Sequence, residues 1–258
     1  MSRGKLDSET ANRVERELPD VYGVRITSLE LNPDIISIGF PPGSSMPIAA
    51  VCLQDATSSL AEARYALLEA LAHLVWYRDK SDPPNEDLAL YFGKFYADDI
   101  ALRLYASAEH LANAIINILD IKSKIADFKK SSKLGVSSQQ AIVGKYLTKN
   151  LPTHEITKAV HSLRDSQNWK KTRDYRDNWV HNKPPIIRGL GVNYLRRNQL
   201  IVTANTMGVT FGSGDEAAYT VDELLGFMKP STYLLTDATS KVVEHFVTIL
   251  NENQQTEF

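Results

Sequence analysis

Residues 85–121, NEDLALYFGKFYADDIALRLYASAEHLANAIINILDI, decide the fold class. Leu90, Ala97, Ile100, Leu104, Ala108, Leu111, Ile115 and Ile118 recur at α-helical spacing among mostly good helix formers, which predicts one long core helix. Gly93 falls on the same stripe, where it either weakens the helix or lets a neighbour come close. Toward the N-terminus, Pro83-Pro84 separates this helix from an earlier one over residues 58–78, capped by Asp55 or Thr57, with Leu60, Ala63, Leu67, Leu71 and Leu74 in helical period. Before that, short runs at 22–31, 34–40 and 47–53 are divided by the turn-forming Asn32-Pro33-Asp34 and Pro41-Pro42-Gly43-Ser44-Ser45. They predict a small antiparallel sheet behind a first helix over residues 8–18.

Toward the C-terminus, residues 129–135 read as a flexible connection, followed by a helix over 137–149 and, after Pro152, a single helix over 153–181. Runs at 199–204 and 208–212 predict a β-hairpin turning at about Asn205. Thr220-Val221-Asp222-Glu223 is a capping signal for a further helix that Pro230 interrupts. A last helix over 232–251 has Leu235, Val242, His245, Phe246 and Leu250 on its inner face. The fold class is therefore mainly α, with small antiparallel β segments near the N-terminus and before the C-terminal helix.

At 258 residues, 43% hydrophobic and 23% charged, the chain can bury a sizeable core. Its single cysteine, Cys52, lies in an apolar run, which excludes a disulfide framework or cysteine metal site within one chain and predicts a buried structural thiol. The first residues carry charge without an apolar segment behind them, and no apolar run is long enough for a bilayer, so the expectation is a cytoplasmic protein with no membrane contact. The net charge of −2 hides a strong asymmetry. Residues 1–121 carry 10 basic and 18 acidic groups, residues 122–183 carry 14 and 5, and residues 184–258 carry 5 and 8.

The basic block ends in Asp174-Tyr175-Arg176-Asp177-Asn178-Trp179-Val180-His181-Asn182-Lys183, with Pro184-Pro185 behind it. Arginine offers a planar fork that matches phosphate oxygens, and histidine changes charge near neutral pH, a pairing able to bind and cleave RNA without a metal. Residues five apart on an ideal helix lie about 140° from one another, so Arg176 and His181 do not quite share a face within a regular helix. Pro184 disfavours helical geometry at Lys183, which puts His181 in the last turn or just past it, where the macrodipole favours a cationic side chain. Asp177, four residues earlier, is placed to orient the imidazole. Arg173 lies one turn before Arg176 and offers a second guanidinium. Trp169, Tyr175 and Trp179 are near enough to stack on unpaired bases, or else are core residues.

Arg176, Asp177, Asn178-Trp179-Val180 and His181 resemble the motif of the HEPN domain family of prokaryotes, whose nucleolytic members carry Arg, a polar residue, a few variable residues and then His. Arg103 and His110 satisfy only the loosest form. The chain departs from the family in having Asp where Asn is more typical after the arginine, and in β-rich segments beyond a minimal domain. The resemblance implies a bundle around two long antiparallel helices, with an N-terminal β-rich extension over 1–54 and a HEPN-like domain over 55–258 interrupted by a hairpin near 191–214. It further implies a metal-independent endoribonuclease of the toxin or defence type, working as a homodimer on RNA with no cofactor or metal and held in check by an antitoxin-like partner. Arg176 and His181 would be catalytic and Asp177 and Asn178 supporting, with Lys170, Lys171, Arg173, Trp179 and Lys183 binding RNA. The alternative is a non-catalytic HEPN-like dimeric scaffold or nucleic-acid-binding adaptor.

Other polar residues compete weakly. His154-Glu155 lacks a second histidine at zinc-site spacing, His161 coming seven positions after the first, and reads as a surface pair. The glycines from 208 to 214 suit a hairpin, Asp98-Asp99 read as solvated or salt-bridged carboxylates, and His73, His110 and His245 read as core histidines.

Overall fold

The computed structural model describes residues 8–21, 40, 42–121, 139–181, 185–190, 199–203, 206–210 and 217–255. The helices are α1 Ser8–Glu15, α2 Met46–Val75, α3 Glu86–Ile118, α4 Gln139–Asn150, α5 Glu155–Asp165, α6 Gln167–His181 and α7 Val221–Gln255. A π-helical turn, Trp76–Lys80, closes α2. Strands β1 Gln199–Thr203 and β2 Thr206–Thr210 pair antiparallel, with Gln199 opposite Thr210 and Thr203 opposite Thr206. The molecule is mainly helical.

The bundle is built on α2 and α3. Ser45 Oγ donates to the Asn117 carbonyl (2.7 Å), Ser107 Oγ to the Ala56 carbonyl (2.8 Å), and Arg78 to Glu86 (2.8 Å). Partner numbers on α3 fall as those on α2 rise, so the two helices are antiparallel. Ala49, Leu53, Ala56, Leu60, Ala63, Leu67, Ala70 and Leu74 form an unbroken buried stripe along α2. That stripe overturns the strand expected at 47–53, and the division between residues 54 and 55 falls inside α2. Pro47 in the first turn loses no intrahelical bond, because the N–H groups there have no helical partner, and Ser44 Oγ accepts from Met46 N (3.2 Å). Thr57, expected as a cap, is mid-helix and donates to the Gln54 carbonyl (3.0 Å). The expected strands over 22–31 and 34–40 lie outside the described residues except for Phe40, which is not in a strand.

α7 packs against α2, α3, α5 and α6. Its start shows the predicted capping box: Thr220 N donates to Glu223 Oε2 (2.7 Å) and Glu223 N to Thr220 Oγ1 (3.1 Å). The interruption expected at Pro230 does not occur, since α7 is continuous through it. Pro230 has no N–H to give the carbonyl four residues earlier, and the Ser231 and Thr232 hydroxyls bond the carbonyls of Phe227 (2.7 Å) and Met228 (3.0 Å). The single helix expected over 153–181 is two, α5 and α6, broken at the extended Ser166 (ψ 131). Ser166 Oγ accepts from Trp169 N at 3.4 Å, a serine starting a new helix. Cys52 is half-buried against the core rather than enclosed by it.

Candidate active site

Helix α6 is strongly polar and is held by one narrow face, on which Trp169, Thr172 and Tyr175 are buried. Thr172 Oγ1 lies 3.0 Å from Ser231 Oγ on α7, and Tyr175 OH donates to Asp98 Oδ1 on α3 at 2.6 Å. Asp98 is also paired with Lys94. Burial, followed by the charge of Asp98, pushes the Tyr175 phenol well above its ordinary range, so this contact is a neutral phenol donating to a carboxylate. Tyr175 thereby fixes both the height and the rotation of α6 where the motif begins.

Arg176 follows at the rim. Its guanidinium carbon stands 3.9 Å from the centre of the Tyr105 ring, Nη1 donates to Asp177 Oδ1 (2.9 Å), and the same Nη1 lies 3.3 Å from His181 Nε2. The arginine side chain is 18% exposed, whereas His181, the last residue of α6, is exposed. The reach of the arginine spans the angle that the backbone leaves open, so no break in the helix is needed to bring the two together. A guanidinium has only donors, so in a hydrogen bond across this contact His181 Nε2 is the acceptor. Arg176 Nε is buried with no hydrogen-bond partner among the described residues.

Asp177, expected to orient the imidazole, instead bonds the guanidinium. On the helical wheel Lys170, Arg173 and His181 lie on one flank of Arg176, while Lys171, Asn178 and Trp179 lie on the other or behind. Lys170 Nζ donates to the Asp165 carbonyl (3.1 Å), Arg173 pairs with Asp174 (3.2 Å), Lys171 and Asn178 are exposed, and Trp179 is half-buried. Lys183 lies outside the described residues. Trp169 and Tyr175 belong to the core, which removes them as stacking surfaces.

The weaker Arg/His match is not assembled. Arg103 is held by Glu62 and Asp99, and His110, expected in the core, keeps 41% of its side chain exposed 4.0 Å from Asp55. Asp98 and Asp99 are salt-bridged. His154 caps α5, its Nδ1 accepting from Ile156 N (3.2 Å), and His161 Nε2 lies 2.8 Å from Thr148 Oγ1. Among the described residues no three His, Cys, Asp or Glu side chains converge as a metal-ligand group.

Tyr105 went unnoticed in the sequence. Its phenol is pushed up by burial first and by the charge of Glu109 second, with Arg176 opposing. Tyr105 stands seven residues, two turns of α3, after Asp98 and so on the same face, a spacing that gains meaning only once Asp98 is seen to hold Tyr175. Comparison with protein-family models, curated proteins and solved structures found no match.

Proposed function

We propose that this chain is a metal-independent endoribonuclease of the HEPN type, of the toxin or defence class, acting as a homodimer on RNA and restrained by an antitoxin-like partner. The observation that carries the reading is the 3.3 Å approach of Arg176 Nη1 and His181 Nε2 at the exposed end of α6. Arg173 one turn away and Lys170 on the same flank supply further positive charge for a phosphate backbone. A neutral His181 takes the proton of a ribose 2′-hydroxyl, whose oxygen attacks the adjacent phosphorus while Arg176 stabilises the charge on the phosphoryl oxygens. The bond to the 5′ oxygen breaks, that oxygen receives a proton from the imidazolium of a second copy, and a cyclic phosphate and a 5′-hydroxyl remain.

Each motif brings one imidazole to a reaction that uses both a base and an acid, which favours two copies around a two-fold axis. Ile48, Val51, Tyr65, Tyr91 and Phe95 on α2 and α3 are more than half exposed and offer apolar surface for a second copy to bury. No helix among the described residues is long and apolar enough to cross a membrane; the reading carries with it a cytoplasmic setting. The hairpin before α7 is read as an addition to the bundle that serves recognition.

One observation favours the second reading, a non-catalytic scaffold or nucleic-acid-binding adaptor: Tyr105 and Asp177 already engage the guanidinium. RNA cleavage in EDTA separates the two. On the ribonuclease reading Arg176→Ala and His181→Ala each lower the rate by about a hundredfold or more, with circular dichroism and sedimentation unchanged. Equal rates for wild type and both variants would leave only the scaffold.

A further inference from the structure

A cavity of about 180 Å³ opens between α3, α4, α5 and α6, one helical turn from the motif. Its walls include Ala112, Ile115, Leu163 and Trp169, and three polar side chains complete it: Gln140, Arg173 and Arg164, the last paired with Asp165. Two features tie it to the Arg176/His181 pair. On α3 the residue under the Arg176 guanidinium is Tyr105, and Ala108, one turn on, already lines the cavity. On α6, Arg173 lines the cavity one turn before Arg176. The two helices run antiparallel here, so both displacements point the same way, from phosphate chemistry toward an apolar hole. A dry cavity of roughly 150 Å³ accepts one benzene ring, so this one has room for a single ring with substituents. Gln140 brings an amide, the group that reads base edges, held in place by its Nε2 donating to Glu109 Oε1 (2.9 Å).

We infer that this cavity is a nucleobase subsite: it takes one unstacked base of the RNA, with Gln140 on the base edge and Arg173 on the phosphate that leads to Arg176 and His181. The inference rests on the ribonuclease reading and adds to it a preference for the base beside the scissile bond. A free aromatic acid would satisfy the cavity and Arg173 equally, but it gives no reason for the amide or for the alignment with the motif.

The test uses the full chain in EDTA with adenosine, guanosine, cytidine and uridine as probes, and benzoate as the small-acid control. Nucleosides carry no phosphate, so their binding reports the cavity and not Arg176. Two variants fill it: Ala112→Phe from within, and Ala141→Trp from a position that is exposed and does not disturb the core. The expected result is binding that prefers one nucleoside and weakens about tenfold or more in both variants, the worth of burying one apolar ring, together with loss of base preference at the cut site. Absence of nucleoside binding, binding indifferent to both substitutions, or binding of benzoate alone would overturn the subsite. Cleavage that continues with unchanged base preference in the filled variants also overturns it while leaving the ribonuclease intact. Nucleoside binding that the variants abolish in a chain that cuts no RNA would remove the nuclease and keep the base site.

Discussion

Arg176 is held by an aromatic face rather than by a second carboxylate buried beneath it. A second carboxylate under a largely buried guanidinium would neutralise more of the charge needed on a phosphoryl group, whereas the Tyr105 ring orients the guanidinium and leaves Asp177 as its one carboxylate partner among the described residues. Tyr105→Phe preserves the ring and is expected to cleave RNA at nearly the wild-type rate. Tyr105→Leu removes the platform and lowers cleavage by about fivefold, the equivalent of about 1 kcal/mol of cation–π interaction. Equal rates for the two variants would assign the ring to packing alone. Deeper in, Asp98→Ala leaves the Tyr175 hydroxyl buried without its 2.6 Å acceptor, a loss of about 1–3 kcal/mol that thermal unfolding would record. Arg176 and His181 were legible as a pair because their chemistry is stated by residue type. Tyr105 was not, because its role depends on α6 crossing α3 at one height, and no local pattern in the sequence encodes that crossing.

At the level of the element, periodicity was a better guide than punctuation. The buried stripe of α2 continues back to Ala49, although the turn-forming residues 41–45 mark off 47–53 as a short run; Pro47 is no obstacle, since proline stops a helix only from inside, not from its first turn. Pro230 does lie inside α7, and the helix still continues through it, with the Ser231 and Thr232 hydroxyls bonded one turn back. Ser166 was the opposite case, a polar residue overlooked within a long pattern, and it starts the helix that carries the motif. Gly93 is settled by contact: a Cβ there would lie 2.6 Å from Val221 Cγ1 and 3.3 Å from Leu74 Cδ2. Val221 is β-branched and fully buried at the start of α7, so it has little room to move. Gly93→Ala gains about 1 kcal/mol in helix propensity and costs about 1–3 kcal/mol in overpacking, so the expected outcome is a net loss of about 1 kcal/mol. For a chain of this length that is a fall in Tm of about 2–4 °C. A rise in Tm on scanning calorimetry would mean that α7 can withdraw from the α2/α3 pair at no cost.

Across the whole molecule, two partly buried imidazoles tie stability to pH. The His73 ring stacks on Phe92 with centroids 4.4 Å apart and is flanked by Tyr77 (5.8 Å) and Tyr96 (5.6 Å); its Nδ1 is buried with no partner among the described residues. Burial pushes its pKa down, only partly opposed by Glu69. His245, edge-on to His154 at 4.8 Å, is pushed down by burial first and by the charge of His154 second. Both therefore resist protonation in the fold more than in the unfolded chain, where a histidine titrates near about 6.5. The unfolded chain binds more protons below that point, so stability is complete above about pH 6.5 and declines as the pH falls through the lowered folded values. His73→Phe keeps the stack and removes both the titration and the unpaired nitrogen. The variant is expected to match or exceed the wild-type Tm at pH 7, and to lose less than the wild type on going to pH 5. A gap between the two Tm values that stays constant from pH 7 to pH 5 would show that His73 does not titrate between these limits and would leave the acid sensitivity to His245.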